Sequence, residues 1–198
     1  MWDLHHYFRA KISESRIEKL DLQFDISFFK DFNLTEKLPS YNAADHGGRL
    51  PDLVINVLSK STWRKDLLDN VQYCETIKIP FYAVFFAYPV APLTMPPPFL
   101  RVYELQENGV YKKKEVKKAM YKGGKLVDSN AFINLEPRLD VGIALEELDL
   151  KYLGGKEIFQ AVIIDLKSKK KYLTRAEKEK ARADELQRKI HELQRENQ

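Results

Sequence analysis

The sequence lacks the disulfide bonds that stabilise many small secreted proteins. Its 198 residues contain a single cysteine, Cys74, so no internal disulfide can form. A lone thiol is typical of proteins that work in a reducing compartment, and we expect this one to be cytoplasmic. The N-terminus lacks the basic segment and apolar run of a secretory signal. These absences argue against a disulfide-rich extracellular module.

Long hydrophobic runs are also missing. The longest apolar stretch, residues 79–93, is interrupted by Pro80, Pro89 and Pro92, and a bilayer span needs roughly 20 consecutive apolar residues. We therefore expect no membrane partner. Charge of one sign is not in large excess either, since 33 Lys and Arg residues face 29 Asp and Glu residues. The resulting net charge of +4 permits contact with nucleic acid without requiring it.

The first half of the chain carries a strand–helix–strand pattern. Residues 51–59 form a nearly continuous β-branched and aliphatic run, which is typical of a strand covered on both faces. A helix is predicted from Ser61 or Thr62 to about Ile77. A second apolar strand over residues 79–88 follows it. Two such strands joined by a helix indicate a parallel β-α-β unit, so the predicted fold class is α/β.

Shorter elements surround this unit. Residues 1–20 are predicted to form a short helix, because apolar side chains recur there at intervals of four. Residues 20–29 alternate between apolar and polar side chains and predict a strand. The other predictions are a loop over residues 31–50, a hairpin over 100–105 and 110–116, and a strand over 158–166, with residues 117–157 unassigned.

A charged helix is predicted at the C-terminus. Thr174 and Glu177 have the spacing of a capping box, which marks a helix start. Four apolar residues follow at heptad-like spacing: Ala183, Leu186, Ile190 and Leu193. This seam extends over only about two heptads. We divide the chain into a domain over residues 1–173 and a helix over 174–198, which forms a homodimeric coiled coil, docks on its own domain or projects into solvent.

One polar side chain interrupts the apolar strand of the predicted β-α-β unit. Asn56 lies near the centre of that strand, and a buried amide must be hydrogen-bonded or it costs stability. Two interpretations are open at this point. Asn56 is either a satisfied structural amide or the remnant of an active site.

The residues around Asn56 resemble a nuclease family, the Uma-type restriction endonucleases of the PD-(D/E)XK superfamily. The similarity covers residues 20–110 and continues weakly into the C-terminal helix. It implies a restriction-endonuclease-like fold, in which helices flank a mixed β-sheet. The motifs that carry it are residues 51–59, then Ser61, Thr62 and Asp66, and the start of the next strand at residues 79–82.

The resemblance also implies an activity on DNA. Enzymes of this superfamily hydrolyse phosphodiester bonds with Mg²⁺, which an Asp and a Glu on adjacent strands hold beside a Lys. The family's Asp, Glu and Lys positions correspond to Asp25, Asn56 and Asn70. Two of these positions have lost their charge, which weakens metal binding and transition-state stabilisation together. We expect impaired or lost catalysis, with Asp25 and Asn56 as the metal-binding positions if activity persists.

Two alternatives stay open for the activity. Lys60 or Lys65 could replace the missing cation, since a long flexible ammonium group can reach a site from several backbone positions. Alternatively, the chain is a non-catalytic module on the nuclease fold that binds nucleic acid or a protein partner. A purely structural or assembly role through the terminal helix is a third hypothesis.

A lysine-rich segment is the candidate for contact with nucleic acid. Its members are Lys112, Lys113, Lys114, Lys117, Lys118, Lys122 and Lys125. Phosphate contacts from these lysines would make binding salt-dependent. Lysines also protect an exposed strand edge from aggregation. The pattern alone favours neither interpretation.

Overall fold

The computed structural model describes residues 4–13, 16–32, 39–88, 95–152 and 155–196. Its strands, in chain order, are β1 (Leu4–Ser13), β2 (Arg16–Phe24), β3 (Ile26–Phe28), β4 (Ser40–Asn42), β5 (Leu53–Val57), β6 (Phe81–Phe85), β7 (Leu100–Leu105), β8 (Tyr111–Val116), β9 (Tyr121–Lys122), β10 (Lys125–Leu126), β11 (Phe132–Asn134), β12 (Val141–Tyr152) and β13 (Lys156–Asp165). The helices are a 3-10 helix (Ala43–His46), α1 (Trp63–Leu67), α2 (Asp69–Thr76) and α3 (Arg175–Glu196). The molecule is thus mixed α/β and built mostly of strands.

The central sheet has five strands in the order β3-β5-β6-β7-β8. β5 and β6 pair in parallel with α1 and α2 between them in the chain, while β7 and β8 form an antiparallel hairpin. The predicted β-α-β unit and the predicted hairpin are therefore confirmed. The helix predicted over residues 61–77 is instead two helices, because the backbone leaves the helical conformation at Leu68 (φ −121°, ψ −75°).

Both faces of the central sheet are covered, which explains its unbroken apolar strands. On one face, Val54 and Tyr82 belong to a core shared with the N-terminal strands and the helices. On the other face, Ile55 and Ala83 belong to a second core together with Ile143 of β12. The predicted flank of helices is therefore found on one face only within the described residues. A second layer of strands covers the other face.

The N-terminal segment is a β-hairpin, so the helix predicted over residues 1–20 is wrong. β1 pairs antiparallel with β2 and parallel with β4, in a sheet of three strands. Phe8 of β1 is buried opposite Leu20 of β2. An interval of four residues fits two periods of a strand as well as one turn of a helix. The pairing of β1 with β2 selects the strand, whereas the spacing of apolar residues within the segment does not distinguish a strand from a helix.

The strand predicted over residues 20–29 is interrupted at Asp25. Phe24 at the end of β2 is 1% exposed, whereas Ile26 and Phe28 of β3 are 51% and 47% exposed. The apolar side chains change face because β2 belongs to the three-stranded sheet and β3 to the central sheet. Asp25 therefore lies at the crossover between two sheets.

The region left unassigned by the sequence, residues 117–157, forms most of a third sheet. Its strands run in the order β10-β9-β12-β11, and β13 pairs with β12. Gly123 and Gly124, both with positive φ, form the turn between β9 and β10. Strands of two or three residues are too short to show an alternating pattern. The last predicted strand is confirmed as β13.

The terminal helix α3 begins with the predicted capping box. The Thr174 Oγ1 accepts the Glu177 backbone N–H at 3.2 Å, and the Glu177 Oε2 accepts the Thr174 backbone N–H at 2.7 Å. The Lys171 ammonium group bridges Glu177, at 3.0 Å, and the buried Glu146 of β12, at 2.7 Å. This bridge joins the first turn of α3 to the third sheet.

Beyond its first turn, α3 presents its side chains to solvent. All those described are exposed, and Leu186 is 53% exposed. The side chains of Ile190 and Leu193, which would complete the predicted seam, lie outside the described part of the chain. Among the described helices, none is both long and apolar enough to cross a membrane.

Candidate functional site

The three positions predicted from the resemblance meet in one pocket. Asn56 comes from β5, Asp25 from the crossover between β2 and β3, and Asn70 from α2. They line a cavity of about 440 Å³ together with Asp66 and Lys65 of α1. Residues separated by up to 45 positions in the sequence are thus brought together because the parallel pair β5–β6 places its connecting helices over the same face as β2.

Asn56 is fully hydrogen-bonded although it is only 4% exposed. Its Oδ1 accepts the backbone N–H of Asp25 at 3.3 Å, and its Nδ2 donates to the Asp66 Oδ1 at 2.9 Å. The Nδ2 also lies 3.4 Å from the Tyr82 hydroxyl. These bonds offset the cost of burying an amide in an apolar strand. Asn56 therefore has the partners of a structural amide, at the position where the resemblance places a catalytic carboxylate.

Asp66 is the centre of the buried network. It is 4% exposed, and its Oδ1 accepts hydrogen bonds from the Nδ2 groups of Asn56 and Asn70, each at 2.9 Å. Its backbone carbonyl accepts the Tyr82 hydroxyl at 2.8 Å. A buried carboxylate needs compensating donors, and here two amides supply them where a cation could.

Asp66 is missing from the predicted site residues, although the sequence contains a signal for it. Asp66 and Asn70 lie four residues apart, on a different helical face from the apolar Leu67 and Cys74. Polar residues on such a face usually point to solvent. Here both residues are buried, and they remain hydrogen-bonded across the break at Leu68 between α1 and α2.

Asn70 has one satisfied and one unsatisfied group. It is 1% exposed, and its Nδ2 donates to Asp66. Among the described atoms, its Oδ1 has no hydrogen-bond partner. At the position where the resemblance places a lysine, this chain has a neutral hydrogen-bond donor to a carboxylate.

Asp25 supports the crossover between the two sheets. Its Oδ2 accepts the backbone N–H of Val57 at 2.6 Å, while its own N–H donates to Asn56. One oxygen of the only predicted carboxylate is therefore engaged with the backbone. Asp25 can form these two hydrogen bonds with β5 because it directly follows the last residue of β2.

The electrostatics of the pocket hold Tyr82 in its protonated form. Burial, and after it the charge of Asp66, raise the pKa of the Tyr82 phenol well above its ordinary value of 10.0. The hydroxyl therefore stays a donor to Asp66 at neutral pH. Of the two lysines proposed as substitute cations, Lys65 lines the pocket, whereas Lys60, also within the described part of the chain, does not.

The side-chain atoms that face this pocket are poor ligands for Mg²⁺. Mg²⁺ prefers an octahedron of oxygen ligands, including one or two carboxylates. Here the amide nitrogens of Asn56 and Asn70 point at Asp66, and Asp25 accepts a backbone N–H. The described residues also contain no group of three His, Cys, Asp or Glu side chains suited to a metal ion.

The lysine-rich segment lies apart from this pocket, on and after β8, an edge strand of the central sheet. Lys112 and Lys113 are exposed. Lys114 pairs with Glu104 at 2.8 Å and Lys117 with Glu115 at 3.1 Å. The rest of the segment also lies within the described part of the chain, at Lys118, Lys122 and Lys125. Carboxylates therefore neutralise part of the segment.

Comparison with known proteins returned no relatives. No family model, no curated protein and no solved structure matches the chain. The function of this chain is therefore inferred from the geometry of the pocket.

Proposed function

We propose that this chain is a nuclease-like protein whose Mg²⁺-dependent hydrolysis of phosphodiester bonds is impaired or lost, and that it acts as a binding module. The observation that carries this proposal is the pair of amide bonds from Asn56 and Asn70 to the Asp66 Oδ1. At the family's Glu and Lys positions, the side chains of Asn56 and Asn70 form internal hydrogen bonds to Asp66. A nucleic acid is the partner that the resemblance suggests.

Hydrolysis of phosphodiester bonds depends on charged side chains in the pocket. A phosphodiesterase of this class needs carboxylates to concentrate Mg²⁺ and a cation to stabilise the charge that develops on the phosphate. Asn56 and Asn70 supply neither, since both amides are neutral. The pocket keeps its shape because the amides satisfy Asp66. Binding in the pocket can therefore persist where catalysis does not.

A second candidate function is favoured by Lys65. This exposed lysine lines the same pocket as the carboxylates of Asp25 and Asp66. Two carboxylates and an ammonium group are the charges that the superfamily's chemistry uses. An active nuclease with a displaced lysine would account for this set of residues.

A cleavage assay separates the two candidates. Purified protein is incubated with supercoiled DNA and Mg²⁺ or Mn²⁺, beside Asp25→Ala and Lys65→Gln variants. We expect no cleavage that depends on Asp25. Cleavage by the wild type that both variants lose would refute the proposal and establish the second candidate.

A titration tests the reason for the loss. Mg²⁺ or Mn²⁺ is titrated calorimetrically into the wild type, Asn56→Glu and Asn56→Gln. We expect binding only in Asn56→Glu, because the added charge restores a carboxylate beside Asp25 and Asp66. The Gln variant is the matched control, since it adds the same length without charge. Equal metal binding by the wild type and Asn56→Glu would contradict the proposed loss.

A further inference from the structure

A second pocket lies at the edge of the three-stranded sheet. It has a volume of about 470 Å³ and shares no lining residue with the pocket around Asn56. We call it the β1–β4 pocket, because it lies where these two strands separate. Its lining residues are Tyr7, Phe8, Arg9, Lys19, Asn42, Ala43, Ala44, Gly48, Leu50 and Ile77.

The β1–β4 pocket exists because the parallel pairing is short. β4 accompanies β1 only as far as the pair Tyr7–Asn42, and the chain then turns into the 3-10 helix. Arg9 and the rest of β1 continue without β4 beside them. Gly48 on the opposite wall has φ +78° and nothing within 4 Å of the place where a Cβ would lie. The separation of the strands therefore leaves an open cleft.

The interior of the β1–β4 pocket is apolar. Phe8 and Ile77, which are only 2% and 8% exposed, close the floor of the pocket, and the partly exposed Leu50, which packs against the same core, is an apolar side chain that a ligand can reach. Such a surface suits the flat or apolar part of a small molecule. The cavity is far larger than an inorganic anion alone requires.

The rim of the β1–β4 pocket is positively charged. Arg9 and Lys19 are directly opposite each other on β1 and β2, an arrangement of like charges that destabilises a sheet. The Lys19 ammonium group lies 4.4 Å from the ring centre of Tyr7, which positions the cation without neutralising it. Within the described part of the chain, no acidic residue lines the pocket and neither cation has an ion-pair partner.

We propose that the β1–β4 pocket binds an organic phosphate of nucleotide size. The phosphate lies between Arg9 and Lys19, where an anion relieves their mutual repulsion and forms charge-assisted hydrogen bonds. The apolar part lies against Leu50, above the buried Phe8 and Ile77. This inference stands apart from the proposed function, because it uses a different pocket and needs no metal ion.

Binding is measured by calorimetry in EDTA with three probes: thymidine 5′-monophosphate, thymidine and inorganic phosphate. We expect the monophosphate to bind most tightly. Arg9→Gln combined with Lys19→Gln should weaken it by about a hundredfold, at roughly tenfold for each charged contact removed. A 5′-phosphorylated short oligothymidine, compared with its unphosphorylated form, shows whether the phosphate comes from a free nucleotide or from the end of a strand.

Three controls keep the result specific. Arg9→Lys with Lys19→Arg preserves both charges and should retain binding within a few-fold. Lys178→Gln with Arg182→Gln removes the same charge from exposed positions of α3 and should have no effect. The Gln variant at the rim should unfold at the same or a higher denaturant concentration, since it removes a repulsion. Equal binding of thymidine and its monophosphate, or binding unaffected by the rim variant, would overturn the proposal, as would the absence of binding by every phosphate probe.

Discussion

Asp66 is the acceptor that the two buried amides of the pocket share. A buried carboxylate that accepts two amide donors at 2.9 Å satisfies itself and both donors at once. Asn56 and Asn70 are each less than 5% exposed, so neither can turn to water if the carboxylate is removed. The network is therefore held by one acid that the family resemblance does not place among the catalytic positions.

Replacing Asp66 with Ala should destabilise the fold. The change removes two charge-assisted hydrogen bonds, so the Asn70 Nδ2 loses its acceptor and the Asn56 Nδ2 keeps only its longer contacts to the Gln23 carbonyl, at 3.5 Å, and the Tyr82 hydroxyl, at 3.4 Å, at a cost of about 2–4 kcal/mol. Urea unfolding measures the free energy of unfolding. Asp69→Ala is the matched control, because Asp69 is exposed in the same helical segment and should cost less than about 1 kcal/mol. Similar losses in the two variants would contradict the role of Asp66.

Three of the polar residues in this pocket are predicted from the sequence, and Asp66 is not. Asp25, Asn56 and Asn70 are selected through a resemblance, and the fold does bring them into one pocket. Asp66 is not selected as a site residue, because its importance depends on the approach of Asn56 from a strand ten positions earlier. Such a contact has no local pattern in the sequence.

At the scale of elements, the start of α3 should respond to acid. Hydrogen bonds from Thr174, followed by the nearby Lys171, lower the pKa of Glu177 below its ordinary value of 4.5 despite partial burial. A carboxyl group with a lowered folded pKa contributes stability above its unfolded pKa and loses it as the pH falls through the folded pKa. The first turn of α3 should therefore be protected at neutral pH and fray below about pH 4.5.

Hydrogen exchange across the start of α3 measures this protection. Glu177→Gln should lose most of it at pH 7, since the amide lacks the charge that binds Thr174 and Lys171; loss of such a cap costs about 1 kcal/mol. Glu185→Gln, in the middle of the same helix, is the control and should leave the first turn unchanged. Equal protection factors in the wild type at pH 7 and pH 3, each taken against the intrinsic exchange rate at that pH, would contradict the prediction.

The edge strand β8 permits a test of its lysines. Lys112 and Lys113 are exposed, whereas Lys114 is paired with Glu104. If the exposed pair contacts phosphates, Lys112→Gln with Lys113→Gln should weaken DNA binding and reduce the slope of log affinity against log salt by about 2. The variant Lys178→Gln with Arg182→Gln is the control for charge. An unchanged slope, with new self-association of the β8 variant, would assign these lysines to protection of the edge.

Most elements that the sequence predicts well are long enough to show a period, although length alone is not sufficient, since the 12 residues of β12 lie in the region without a prediction. β5, β6 and the hairpin of β7 and β8 have five or six residues each and a consistent pattern. The N-terminal hairpin is mispredicted as a helix because an interval of four fits both periods. β9, β10 and β11 have two or three residues and depend on pairing with distant strands. Their existence is a tertiary effect.

At the scale of the whole molecule, the body should fold without α3. Three apolar clusters form the cores of the body, and none of their members lies beyond Ile164 among the described residues. A chain that ends at Leu173 should therefore keep its near-native unfolding midpoint. Loss of cooperative unfolding after the truncation would show that α3 belongs to the folded domain.

The same truncation tests the homodimer, which is one of the three arrangements left open for the terminal helix. Exposed α3 side chains such as Leu186 have no covering partner within the described chain. We predict that the full chain associates at high concentration and that the chain ending at Leu173 remains a monomer in light scattering. A monomer in both cases would exclude assembly through the helix.

The bridge formed by Lys171 has a geometric consequence. α3 has 22 residues and is therefore about 33 Å long, but its described anchorage to the body is the bridge at its first turn. A tilt of about 10° at that point displaces the far end by about 6 Å. Because Glu146 is 2% exposed, dissolved salt screens its attraction to Lys171 only weakly. Within the described residues, the Lys171 ammonium group links the base of α3 to the body, so a change in its position would redirect the far end of the helix.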